Sequence, residues 1–429
     1  MIEQKSESMI SRVVFALFFL LVVSLGLMKP GVFVSVATLT PTDLVFPFLF
    51  AAWLVAIATR QMRFVWHPAF LALAVYFLAF AVSAVFSTRP RASFAKLAGE
   101  LYLVLLPVVT VSVVESIARL KQTVSVWIIG SAIPILVGLF GIALFYVAPD
   151  AALLQEITYH YGSVPVGNFP RISSTFITAS MFCNYLTATL AILAGAWSMN
   201  WLNKRTAVVL LFAMAVCTMF TVSIAIGGAV LAVGLLIWRL TPPSSRRTAG
   251  LVTAILVAIA FLLVSPIDLA PRPASHYSVS TPLPGSLSPS PRLVVWEDAA
   301  SRLIDKPVVG SGIGTPSAEV IFVNTDGSRS LLTDAHNTFL NVAAQCGLIG
   351  LAGLLFVIWS VVKAGFRTRS AELGNIQTAL FIAFVAAFLY DGLTGSFEDA
   401  RHLWVLIGLI LAVDGIDGEG SSLGDSSRA

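Results

Sequence analysis

The sequence predicts an all-α, polytopic integral membrane protein with about 12 transmembrane helices and one large outer loop. Three observations carry this. Of 429 residues, 57% are hydrophobic and 11% are charged, against about 25% charged in a soluble domain. Mean hydropathy is +0.90, so the chain cannot cover a water-facing surface and lipid is its solvent. Stretches free of Asp, Glu, Lys and Arg recur along the chain, many approaching the roughly 20 residues that a spanning helix needs.

In chain order these stretches are 13–28, 44–59, 68–88, 101–114, 122–149, 172–203, 206–238, 248–267, 335–362, 373–390 and 402–413. The run 206–238 is too long for one helix. Its "SIAIGG" at 223–228 predicts a tight reversal between two helices, which gives twelve spans. The run 101–114 extends back to Leu97 and Ala98, with Glu100 at its edge. The chain then divides into helices one to nine over 1–265 with an outer loop near 148–171, a large outer loop over 266–335, helices ten to twelve over 336–415, and a disordered tail over 416–429.

With the N-terminus inside, 15 of the 26 lysines and arginines fall on inner segments. The positive-inside rule therefore favours both termini in the cytoplasm. The net charge of +4 is spread thinly and leaves no nucleic-acid footprint. Cys183, Cys217 and Cys346 lie in apolar segments without metal-ligand spacing, so neither a zinc site nor a disulfide framework is expected.

The large loop opens with "SPIDLAPRPASHYSVSTPLPGSLSPSPR", read as extended irregular chain. In "RLVVWEDAASRLIDK", Leu293, Trp296, Ala300 and Leu303 form the stripe of a short amphipathic helix on the membrane surface. Gly310, Gly312 and Gly314 in "KPVVGSGIGT" suit a turn better than a phosphate nest, and the segment lacks the strand-turn-helix context of a dinucleotide fingerprint.

Ionisable groups gather at the outer ends of the spans rather than within them: Arg89, Arg91, Arg171, Arg292, Glu297, Asp334, His336, Asp391, Glu398, Asp399, Arg401 and His402. Charges deep in the membrane would mark a transport path, whereas this rim suits an enzyme with an outward-facing site. A transporter and a non-catalytic membrane scaffold are the alternatives. In "DAHNTFLNVAAQCGLIGL", His336 falls in the first turn of a helix, whose positive end keeps an imidazole neutral and able to take a proton. The free amides of that turn, including that of Asn337, suit an anion. Asp334 either orients the ring or caps the helix. Arg171 and Arg292 carry the planar fork that suits a diphosphate leaving group or a lipid headgroup. Arg89 and Arg91 defy the positive-inside bias. Trp296 is an interface anchor or a sugar platform. Asp391, Glu398, Asp399 and Arg401 suit acids or sugar binders, with a solvated inter-helix turn the favoured reading for most of them.

The segments "RLVVWEDAASRLIDKPVVGSGIGT", "DAHNTFLNVAAQCGLIGLAGLL" and "FPRISSTFITASMFCNYL" resemble the O-antigen ligase and polymerase superfamily of bacterial envelope proteins. The matches are its Arg-x-x-x-Trp segment, its Gly-x-Gly-x-Gly turn, its His-Asn-x-x-Leu helix start and its segment around an outer arginine. The resemblance implies a GT-C-like membrane enzyme of the bacterial inner membrane with a periplasmic site. It implies transfer of a glycan from an undecaprenyl diphosphate-linked donor to a lipid A-core or lipid-linked glycan acceptor, with membrane lipids around it and neither cofactor nor metal. Family arginine and histidine roles map onto Arg171, Arg292 and His336. Two departures stand out: Ser223 is followed by Ile224 where many members have Ser-Arg, and "ITAS" replaces the Pro-Asn after the Arg171 segment. The departures imply that one cationic contact to the diphosphate is either lost or supplied by Arg89 or Arg91.

Overall fold

The computed structural model describes residues 8–34, 37–161, 169–221, 223, 225–262, 267–268, 279–280, 286–289, 291–323, 329–367, 373–395, 397 and 400–426. Its helices are α1 Met9–Ser24, α2 Pro41–Ala58, α3 Ala69–Val85, α4 Pro90–Val113, α5 Ile117–Val147, α6 Ala152–Ile157, α7 Ala179–Ser198, α8 Lys204–Phe220, α9 Ile226–Leu240, α10 Arg246–Leu262, α11 Pro291–Asp305, α12 Thr338–Phe366, α13 Gly374–Thr394 and α14 Arg401–Ser426. Each of the twelve apolar spans read from the sequence holds a helix. Six helices (α2, α4, α5, α7, α12 and α13) are long and apolar enough on their own to cross a membrane.

Start signals are local. The Ser116 hydroxyl accepts the Arg119 amide before α5, and Asn203 accepts that of Thr206 before α8. Thr178 accepts the Met181 amide, so α7 begins at Ala179 and not at the start of its apolar run. Asp43 reaches back to the Thr40 amide at 2.8 Å in a capping box at the start of α2. The helical run breaks between Phe220 and Ile226, beside the predicted 223–228 segment, but the glycine pair itself lies in the first turn of α9.

Helix α14 lies at the centre. Leu403 to Leu411 are essentially solvent-free, because a helix apolar on every side must be surrounded by protein or lipid. It packs on α4, α12, α13 and α5, while α13 packs on α7 and α12 on α3. Its backbone stays helical to Ser426, where the sequence suggested a disordered tail. Glu100, expected at a span edge, lies inside α4 and is fully buried. It accepts the Tyr76 hydroxyl at 3.1 Å and pairs with Lys96 at 3.7 Å.

The all-α expectation is corrected by small antiparallel sheets outside the helices. β1 Val32–Val34 pairs with β2 Ala37–Leu39, β3 Thr158–Tyr161 with β4 Phe169–Ile172, and β8 Val320–Val323 with β9 Arg329–Leu332. The Pro- and Ser-rich stretch, read as irregular, contributes three paired strands: β5 Ile267–Asp268, β6 Val279–Ser280 and β7 Ser286–Pro289. The rest of that stretch lies outside the described residues.

Helix α12 is broken at Gly347, which has a φ of 65°. A break leaves peptide groups without helical partners, and the glycine-rich loop after α11 replaces them. The Leu348 amide donates to Pro307 O at 2.8 Å. On the other side of the break, Gln345 O accepts the Gly312 amide at 2.8 Å and Ala344 O accepts that of Ser311 at 3.1 Å. Gly310, Gly312 and Gly314 all have positive φ, at 68°, 110° and 76°. They are turn residues of this splice, as the sequence favoured.

Candidate functional site

A cavity of about 410 Å³ opens at one end of the bundle. It is walled by the C-terminal ends of α1 and α13 and the N-terminal ends of α2, α7 and α14. Arg171, Arg292, Asp334 and His336 all line it, although they come from β4, α11 and the approach to α12. Tyr390, Asp391, Arg401 and His402 complete its ionisable lining.

Arg171 sits on β4 opposite Tyr159, and its Nε donates to Thr221 O at 3.2 Å. That carbonyl belongs to the α8–α9 turn, so the place of the missing Ser-Arg motif backs the cavity. Ser223 there meets Ser180, a lining residue, at 2.8 Å between hydroxyl oxygens. Arg292 opens α11 and makes no hydrogen bond or ion pair among the described residues. Burial lowers its guanidinium from the ordinary value, with the Tyr390 phenol acting in the opposite direction. A partly buried guanidinium at a cavity wall has the donor geometry to pair with an anion.

His336 is not in the first turn of α12, as expected, but two residues before it. The helix starts at Thr338 and Asn337 is its cap, accepting the Leu340 amide at 3.1 Å. His336 has a φ of 48° and a side chain 61% exposed. Asp334 takes the orienting part: Oδ1 accepts the His336 amide at 2.5 Å and lies 3.5 Å from Nδ1. The Ala335 amide is also occupied, by Ser317 Oγ at 3.0 Å and Asn341 Oδ1 at 3.1 Å. Three amides of this stretch, those of Ala335, His336 and Leu340, thus already have acceptors.

Trp296 does not line the cavity. Its Nε1 donates to Ala335 O at 2.8 Å, which corrects the sugar-platform reading. The buried face of α11 is Val294, Val295 and Ala299, packed on α12, while Leu293 is 41% exposed. The predicted stripe was thus displaced around the helix. Arg89 and Arg91 are exposed and outside the cavity, and Arg89 pairs with Glu319 at 3.0 Å. The third arginine of the lining is Arg401.

Arg401 and Asp391, read as solvated turn residues, are instead partly or fully buried in the wall. Arg401 Nε and Nη2 each reach the Asp43 carboxylate at 3.0 Å. His402 meets Asn184 Oδ1 at 2.8 Å, and the Asn184 amide donates to Ala387 O at 2.8 Å. Glu398 and Asp399 lie outside the described residues. Among the described residues no group of three or more His, Cys, Asp and Glu is gathered for a metal.

Residues 207–355 match a family model described as O-antigen ligase. A protein of Rickettsia typhi described as "Putative polysaccharide ligase" is 24% identical over 128 residues, 28% of this chain and 30% of that protein. Its counterpart in Rickettsia conorii is 24% identical over 129 residues, 28% and 31% of the two chains. One in Rickettsia felis is 22% identical over 156 residues, 34% and 37%. The matched part spans about a third of the length of these relatives. The family match contains Arg292, Trp296, Asp334 and His336, and ends short of Arg171 and Arg401 on either side.

Proposed function

We propose, from the premise that residues 207–355 carry the O-antigen ligase domain, that this membrane protein is a glycosyltransferase of the bacterial inner membrane. It moves a glycan from an undecaprenyl diphosphate-linked donor to an acceptor hydroxyl. The acceptor is the lipid A core or a second lipid-linked repeat. Both termini are cytoplasmic and the cavity faces the periplasm. The observation that carries the proposal is the meeting of Arg171, Arg292 and His336 in one cavity.

The chemistry follows from the charges. The acceptor oxygen attacks the anomeric carbon and gives its proton to His336. The bond from that carbon to the diphosphate breaks, and the lipid diphosphate leaves with the electron pair. Asp334 near Nδ1 holds the ring so that Nε2 receives the proton. Arg171 and Arg292 meet the charge that grows on the leaving oxygen. No step calls on a metal or cofactor.

The test is transfer from purified lipid-linked glycan to either acceptor, in detergent, from about pH 6 to 9 across the imidazole range. His336→Ala is expected to lose roughly 10²–10⁴ in rate, with a defect that shrinks as hydroxide replaces the base. Near-normal transfer by His336→Ala at neutral pH would remove the base assignment.

A further inference from the structure

The turn that bears His336 is held from three directions. Ala335 at its centre is fully buried. Its amide donates to Ser317 and Asn341, and its carbonyl accepts the Trp296 indole at 2.8 Å. Asn341 is doubly used, because its Nδ2 also donates to Asp334 Oδ1 at 3.2 Å. Ser317 and Asn341 are each 1% exposed, and Ser317 Oγ donates to Asn341 Oδ1 at 2.6 Å. His336 itself stands in the left-handed region, with a φ of 48°, which a non-glycine residue rarely adopts. Such a conformation persists only where its surroundings impose it.

One of these contacts differs from the others. Trp296 lies one helical turn after Arg292 on α11, so the two residues share one face of that helix. Its indole packs beside Ala299, Ala335, Leu340 and Ala344. The single hydrogen bond from Trp296 to Ala335 therefore joins the helix that carries Arg292 to the turn that carries His336.

We infer that Trp296 is a positioning residue, which fixes the distance between Arg292 and His336 through its hydrogen bond to Ala335 O. This inference rests on the proposed base role of His336. The indole N–H does not touch substrate; it holds the turn, and the turn holds the imidazole. Misplacing a reacting group by about 1 Å costs on the order of 10²-fold in rate, so one neutral hydrogen bond has a large effect on turnover and a small one on folding.

Trp296→Phe keeps the aromatic packing and removes only the donor. With purified lipid-linked glycan as donor, kcat is expected to fall roughly 10- to 100-fold, while the donor KM and the amount of inserted protein stay near wild type. The decisive comparison is made at about pH 9, where hydroxide gives His336→Ala measurable turnover. There, adding Trp296→Phe to His336→Ala should lower the rate no further. Asn341→Leu, which frees Asp334 and the Ala335 amide from the opposite side, should reproduce the same pattern. Wild-type kcat in Trp296→Phe beside an inactive His336→Ala would overturn the positioning role alone. An equal loss in both backgrounds, or a raised donor KM with kcat unchanged, would overturn it too and return Trp296 to a substrate contact. Full activity of His336→Ala would instead remove the base reading on which the inference stands.

Discussion

Arg401 grips Asp43 through both carboxylate oxygens, Nε to Oδ1 and Nη2 to Oδ2, each at 3.0 Å. The side chains are 19% and 9% exposed, so the pair is mostly desolvated. It ties the start of α14 to the start of α2 beside the cavity, and Asp43 also anchors the Thr40 amide.

Breaking a buried pair leaves a charge without compensation and costs about 3–5 kcal/mol, whereas replacing both partners with apolar groups is often neutral. Arg401→Met should therefore lower the thermal midpoint of the detergent-solubilised protein sharply. Combining it with Asp43→Leu should recover most of the loss. A double variant as unstable as the single one would show that the pair is not a stability element.

Arg292 gives a prediction in pH. Burial disfavours the charged form of a base and lowers its pKa, and this lowers the Arg292 guanidinium from its usual value. A guanidinium starts high enough to remain cationic throughout the assay range, but an ammonium starts near 10.4. In Arg292→Lys the same burial brings deprotonation down toward that range. Activity should then fall as pH rises, while wild type shows no such decline from this residue. Arg292→Ala should be low at every pH, by roughly 10²–10³. Parallel pH profiles for wild type and Arg292→Lys would argue against a charge role.

The break in α12 gives a third. A Cβ on Gly347 would stand 2.2 Å from Val308 O, at a φ of 65°. Strain of about 1–2 kcal/mol for the left-handed backbone adds to about 1–3 kcal/mol of overpacking. Gly347→Ala should lower the thermal midpoint and reduce transfer together. Gly99, inside α4, has nothing within 4 Å of a built Cβ, so Gly99→Ala should be neutral or stabilising by about 0.5–1 kcal/mol. Equal effects of the two substitutions would mean that the splice does not constrain α12.

The helices were legible because hydropathy is a local property. The twelve apolar runs and the reversal near Ser223 each rest on a few adjacent residues. Arg171, Arg292 and His336 were legible as a set only through the family resemblance, since nothing local says that three distant outer segments meet. The bond of Trp296 was not legible because its partner, Ala335 O, is a backbone atom 39 residues away. Arg401 and Asp391 were misread because a polar cluster between two spans has the same composition whether it faces water or a cavity. The face of α11 slipped for a similar reason: Val294 and Val295 are as apolar as Leu293, and only packing on α12 decides between them. His336 missed the helix by two residues because Asn337, an equally good cap, follows it.

Order of synthesis gives the spliced helix a meaning for biogenesis. Residues 307–314 leave the ribosome before α12 does. When α12 enters the bilayer, its interrupted turn carries peptide groups that lipid cannot satisfy, at several kcal/mol for each one left bare. The earlier loop supplies those partners, so it has to be waiting at the membrane when the helix arrives. Insertion of α12 and docking of the loop are in this sense one assembly event. A chain whose loop is delayed or held elsewhere would present a defective helix to the translocation machinery, and quality control would meet it there, before any substrate does.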